Sequence, residues 1–170
     1  MKKPFRKLVG QYQDRVFTFA YYSLKNREEA EDVTQEVLMK LWQHNQNVEP
    51  EKLTAWVMRV ARNAVIDATR RHRTRSAVIA EGPDFEVVEG LVAAPGADSE
   101  HAVHARETRD ALESALAGVE EPYRSIVVMR EIQGMTYAEI VDVLEMPLNT
   151  VKVYLHRGRR MLREALREKF

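Results

Sequence analysis

The chain has 170 residues, enough for one domain of usual size or two small ones. It has no cysteine, which excludes disulfides and cysteine-ligated metals and fits a cytoplasmic protein. Lys+Arg and Asp+Glu both number 26, so net charge is zero and only local segregation of charge can draw the chain to nucleic acid.

The N-terminal stretch MKKPFRKLVGQYQD has a basic lead but no continuous apolar region, so no signal peptide is expected. No run approaches the ~18–20 apolar residues of a membrane span, and no membrane insertion is expected. Residues 5–24 place Leu8, Val9, Tyr12, Val16, Phe17, Ala20 and Tyr21 at helical spacing. Lys25-Asn26-Arg27 makes a break. A second helix over 28–44 is acidic in its first turns, as the helix dipole prefers. Val33, Val37, Leu38, Leu41 and Trp42 form its apolar stripe. A polar loop, Asn45 to Glu51, leads into a third long helix from Lys52 to about Arg73. On that helix Val57, Val60, Ala61, Ala64 and Ala68 point one way. Arg59, Arg62, Asn63 and Arg70 share another face, with Trp56 and Ile66 beside it.

Residues 76–99 carry Gly82, Pro83, Gly90, Pro95 and Gly96 and read as a flexible linker. Phe85-Glu86-Val87-Val88 alternates like a strand but has no partner strand. The charges divide here. Arg59 to Arg75 holds six arginines, one histidine and a single acid, Asp67, whereas Ser76 to Ala105 holds six acids and no Lys or Arg. A fourth helix is expected from Glu100 to Ala117, closed by Gly118 in a left-handed conformation. Pro122 opens a fifth, with Ile126, Val127, Met129 and Ile132 inward and Gly134 ending it.

The last stretch carries the strongest local signal. Thr136 and Glu139 form a capping box. Ala138, Ile140, Val141 and Leu144 then give one apolar face. Pro147 stops that helix, and Asn149 or Thr150 is positioned to cap the next. A short helix, a tight turn and a longer basic helix is the layout of a helix-turn-helix, whose second helix enters the major groove. At about 100° per residue, Val151, Leu155, Gly158, Leu162, Ala165 and Leu166 fall on one side. Val153, His156, Arg157, Arg160, Arg163 and Arg167 fall on the other. Only the first two turns of such a helix reach base edges, so Lys152, Val153, His156 and Arg157 are the candidate readers. Thr150 and Arg159 lie near phosphates, and Arg160 shares the outward side. The plainer alternative is a solvated basic helix whose cations suit its C-terminus.

The third helix is a second candidate nucleic-acid surface. Arg59, Arg62, Arg70 and Arg71 can follow phosphates, Trp56 can stack on an unstacked base, and Asn63 can bond a base edge. Against this, Trp56 at the stripe margin reads by itself more readily as core, since aromatic residues are mostly buried. Glu100, His101 and His104 fall short of a metal site, which needs three or four ligands, and no glycine-rich phosphate loop or nucleophile elbow occurs. Neither a metal, a cofactor nor catalysis is expected.

These residues resemble the extracytoplasmic-function sigma factors, the small two-domain members of the sigma-70 family of bacterial transcription initiation factors. EEAEDVTQEVLMKLWQ, from Glu28 to Gln43, resembles the family's regions 2.1–2.2. LTAWVMRVARNAVIDATRRHR, from Leu53 to Arg73, resembles regions 2.3–2.4. Glu120 to Glu164 resembles region 4. The resemblance implies an all-α fold: a three-helix N-terminal bundle over 1–75 and a four-helix C-terminal domain with the helix-turn-helix over 100–170, joined by the acidic linker 76–99.

It also implies roles. Asp32, Gln35, Glu36, Leu38, Leu41 and Trp42 would bind the clamp helices of the core RNA polymerase β′ subunit, and the C-terminal domain would meet the β flap. The loop Asn45–Lys52 and Asn63 would capture an extruded base of the promoter's −10 element. Arg59, Arg62, Arg70 and Arg71 would hold the DNA backbone, and the helix from Leu148 would read the −35 element as duplex. The linker would thread toward the polymerase active centre. An anti-sigma factor would hold the protein inactive. The chain departs from the family at Glu145 and Asn149, where glycine is usual, and at Val153-Tyr154, where Ser-Arg is frequent. The rival expectation is a stand-alone helix-turn-helix regulator, which would dimerise to span two half-sites and leave the acidic second helix without a role.

Overall fold

The computed structural model describes residues 3–79 and 100–169, and among these every regular element is helical. The linker expectation for 80–99, including the strand-like alternation at Phe85–Val88, lies outside the described residues. Helices α1 (Phe5–Leu24), α2 (Arg27–His44) and α3 (Leu53–Ile79) form the N-terminal bundle, with a short 3-10 turn, Pro50–Lys52, leading into α3. Thus α3 runs beyond Arg73, through the first residues expected to be linker. The C-terminal half is α4 (Glu100–Ala117), α5 (Tyr123–Val127) continued by a π-helical turn (Val128–Ile132), α6 (Tyr137–Leu144) and α7 (Leu148–Arg167).

Local chemistry sets most boundaries. Asn26 caps α2 by accepting from the Glu29 amide at 3.0 Å. The capping box at the start of α6 is complete: the Glu139 amide donates to the Thr136 hydroxyl (3.2 Å), and the Thr136 amide donates to the Glu139 carboxylate (2.7 Å). Two expected caps differ. α7 starts after Pro147 with no side-chain cap, because Leu148 is already helical and Asn149 and Thr150 fall inside the first turn. Gly118 is not left-handed; the chain leaves α4 through tight bonds from Gly118 N–H to Ala115 O and Val119 N–H to Leu116 O. Gly134 does take positive φ, +64°, where the π-turn ends.

One apolar core spans both halves. Tyr12, Val16, Phe19, Leu41, Val57 and Met58 fill the N-terminal bundle, and Leu116, Ile126, Met129, Ile140, Val151 and Leu155 fill the C-terminal half. The buried Tyr12 hydroxyl is satisfied by Thr54 at 2.8 Å. The halves meet where α1 lies against α4 and the π-turn, and where α3 lies against α6. Tyr21 donates to the buried Glu113 carboxylate at 3.2 Å, and Gln133 donates to the Arg15 carbonyl at 2.8 Å.

Candidate nucleic-acid interface

The seating of α7 decides which of its side chains face outward. Val151, Leu155 and Gly158 are buried, so the opposite side is solvent-facing. Gly158 permits a close approach to α5: a Cβ there would lie 2.6 Å from Val127 Cγ2 and 3.2 Å from the Tyr123 carbonyl oxygen. Tyr123 and Tyr154 pack edge to face beside it, centroids 5.1 Å apart. Lys152, Val153, His156, Arg157, Arg159 and Arg160 are all exposed, and Thr150 is half-buried.

These cations are not equivalent. Arg159 is tied to Glu131 through Nε at 2.7 Å, and Arg160 lies 3.9 Å from Glu164. Lys152 hangs over the Tyr137 ring, 5.7 Å from its centroid, and Arg130 approaches the same ring at 4.7 Å. His156 and Arg157 have no ion-pair partner among the described residues. Arg130 and Tyr137 were not singled out from the sequence. Their signal was the helix start at Thr136, which brings the first turn of α6 beside the first turn of α7.

On α3, Asn63, Arg70 and Arg71 are exposed, Trp56 and Arg62 are half-buried, and the Arg62 Nε is enclosed without a hydrogen-bond partner. Trp56 lies beside the His44 ring, centroids 6.0 Å apart, so it is neither core nor free. Arg59 is engaged. Its Nε donates to the Val143 carbonyl (3.2 Å), its Nη2 to the Asp142 carbonyl (2.5 Å), and the same Nη2 lies 3.4 Å from the Glu145 carboxylate. In the loop before α3, buried Asn45 donates to the carbonyls of Leu41 and Trp42, closing the C-terminus of α2, and Lys52 pairs with Glu49 at 2.8 Å.

The outward face of α2 corrects two sequence assignments. Leu41 is fully buried and cannot touch a partner. Trp42 is 64% exposed and does not belong to the buried stripe. Asp32, Gln35, Met39 and Trp42, spaced at three and four residues, make one face, with Glu36 and Leu38 half-buried at its edges. Met39, 63% exposed, was missed, although the same spacing from Asp32 and Trp42 points to it. An exposed apolar pair at the end of a helix whose first turns are acidic is unusual on a solvated helix and suits a partner.

Residues 8–75 match the model of sigma-70 region 2, and residues 109–162 match that of sigma-70 region 4. The chain belongs to the sigma-70 family, in its extracytoplasmic-function branch. The ECF RNA polymerase sigma factor SigE of Mycolicibacterium smegmatis is 34% identical over 159 residues, covering 94% of this chain and 60% of SigE. The ECF sigma factor SigW of Bacillus subtilis is 29% identical over 167 residues, 96% of this chain and 89% of SigW. The fold is shared with two solved complexes, the first of them the sigma factor RpoE with the anti-sigma factor NepR. RpoE in complex with NepR from Bartonella quintana superposes with a TM-score of 0.71 at 22% identity over 96% of each chain. CnrH in complex with the cytosolic domain of CnrY gives 0.70 at 19% identity, covering 98% of this chain and 89% of CnrH. Among the described residues of this sigma factor, no helix is long and apolar enough to cross a membrane.

Proposed function

We propose that this sigma factor binds core RNA polymerase through the α2 face and directs it to promoters by reading two DNA elements in two physical states. α7 reads the −35 element as duplex. Arg157 suits a guanine edge because its planar fork matches two acceptors, His156 can donate to a base edge or a phosphate, and Val153 offers an apolar contact to a thymine methyl. Lys152, Thr150, Arg159 and Arg160 serve phosphates, which position the helix without specifying sequence. α3 and the loop before it take the −10 element as a separated strand. Asn63 and Trp56 receive an extruded base, and Arg59, Arg62, Arg70 and Arg71 hold its backbone. Extrusion costs a few kcal/mol of stacking, which those contacts must offset.

The observation that carries this reading is the sorting of surface chemistry by helix. α2 exposes Met39 and Trp42 beyond its acidic first turns, while α7 exposes His156 and Arg157 with no ion-pair partner among the described residues. A self-sufficient duplex binder would have no use for the first. As a factor without chemistry of its own, it acts by recruitment and strand capture. An anti-sigma factor is the regulatory partner its family suggests, and the cytoplasm, where polymerase works, is its expected location. The test is Asp32→Arg, which reverses charge at the N-terminal end of the α2 face. Core polymerase binding falls by more than about tenfold while helical content and melting are unchanged. Retained binding would remove α2 from the account.

A further inference from the structure

Between the π-turn and α7, one aromatic ring serves two cations. Tyr137 is the first residue of α6 and is half-buried. The Arg130 guanidinium lies 4.7 Å from its ring centroid, and the Lys152 ammonium lies 5.7 Å from it. Both fall within the ~6 Å over which a ring face attracts a cation. Neither cation has an ion-pair partner among the described residues.

The members of this cluster are held with unequal firmness. Arg130 has a second anchor, since its Nη1 donates to the Met135 carbonyl at 2.7 Å. Met135 is itself fixed: its side chain is buried and its amide donates to the Met129 carbonyl at 3.0 Å. The π-turn that carries Arg130 is fastened to α7 by the Glu131 carboxylate, which accepts from Arg159 Nε at 2.7 Å. The start of α6, and with it Tyr137, is set by the Thr136–Glu139 capping box. Lys152 is exposed and has only the ring. An exposed lysine otherwise samples many rotamers and loses that freedom when it grips an anion. A carboxylate could also order it, but would cancel the charge it brings. A ring orders it and leaves the charge unspent.

In a helix-turn-helix the first helix crosses the DNA backbone while the second enters the groove. An ammonium drawn to the first turn of α6 is drawn away from base edges and toward that backbone. We infer that Tyr137 is a positioning residue for the −35 contact: its ring, braced by Arg130, pre-orders Lys152 onto a backbone phosphate and takes it out of base reading. This role presupposes the duplex reading of α7 given above.

The experiment begins with the full chain free of polymerase and DNA. A ring face shields protons lying over it, so the ε-methylene NMR signals of Lys152 are shifted upfield of those of the other lysines. Tyr137→Phe keeps that shift, and Tyr137→Leu abolishes it at unchanged helical content. The same chains are then bound to core polymerase and titrated onto promoters selected by transcription. Tyr137→Leu weakens binding about threefold, and Tyr137→Phe binds as the wild type does. Lys152→Ala weakens binding equally for every base variant of the upstream element and lowers the salt slope by about 1. In the Lys152→Ala background, Tyr137→Leu has no further effect, a coupling that general damage to α6 would not give. A Lys152 signal that is unshifted, or that ignores loss of the ring, overturns the positioning role. So does a threefold loss that persists without Lys152, a Tyr137→Phe variant as weak as Tyr137→Leu, or a base preference altered by Lys152→Ala. If the Lys152 signal behaves as expected but the wild-type complex makes no upstream duplex contact, the duplex reading of α7 falls and the ring's role with it.

Discussion

α3 and α7 look alike as sequence: each is a long helix with arginines repeating along one side. In the folded chain they differ. On α7 the side chains of His156 and Arg157, opposite buried Val151, Leu155 and Gly158, meet no ion-pair partner among the described residues. On α3, Arg59 is spent on the C-terminal carbonyls of α6, and the Arg62 Nε is enclosed. The contrast lies in single positions rather than whole faces, since Arg70 and Arg71 on α3 stay exposed and Arg159 on α7 is tied to Glu131. The two helices are proposed for different tasks, α7 for duplex and α3 for a separated strand.

The contrast breaks most completely if α7 loses its seat. Gly158→Val forces methyl groups into the 2.6 Å approach to Val127 and destabilises the C-terminal half by about 3 kcal/mol. Duplex binding is lost while polymerase binding through α2 survives, as melting and co-purification would read. Next, Arg157→Ala weakens duplex −35 binding by about 2 kcal/mol, relaxes preference at one base position and lowers the salt slope by about 1, measured by titration against promoter variants. Asn63→Ala acts on the other helix and the other step. Strand opening falls by about 1 kcal/mol while closed-complex formation is unchanged, as a base-analogue fluorescence assay on the −10 element would separate. Equal defects in both steps would erase the distinction between α3 and α7.

The smallest effect concerns the boundary itself. Burial is the main cause that lifts the Glu113 carboxyl above its usual value of 4.5, with the nearby Asp110 charge adding to it and the Tyr21 bond opposing it. Its second oxygen is buried without a partner. The raised value means the folded state holds this proton more tightly than the unfolded chain does. The associated stability is complete below pH 4.5 and is lost as pH rises through the raised value. Glu113→Gln removes that loss and raises the melting temperature near neutral pH by about 2 °C, with a flatter pH dependence between acid and neutral conditions.

Much of this was legible from local pattern. The Thr136–Glu139 box, the break at Pro147 and the inward side of α7 follow from spacing and side-chain chemistry within a few residues. Errors arose where tertiary packing chooses between adjacent positions. Leu41 and Trp42 both looked apolar on the α2 stripe, yet only Leu41 continues the Val33, Val37 line, and Trp42 turns outward. Asn149 and Thr150 are good capping residues, but Pro147 already supplies the extended angles that precede a helix. Glu145 adopts the left-handed turn that glycine would take more readily, because its amide bonds Val141 and its side chain finds Arg59. The capture of Arg59 by residues more than eighty positions away has no local signature at all.

The central claim is that one chain reads paired DNA with α7 and parted DNA with α3 once polymerase is bound. Strand-resolved footprinting on promoters selected by transcription from a random library, with core enzyme and the purified chain, tests it most directly. The account predicts duplex protection at the upstream element and reactive, unstacked bases at the downstream element, the latter appearing only with polymerase present. Equal protection of both elements as duplex by the chain alone, with no unstacked base in the complex, would contradict it.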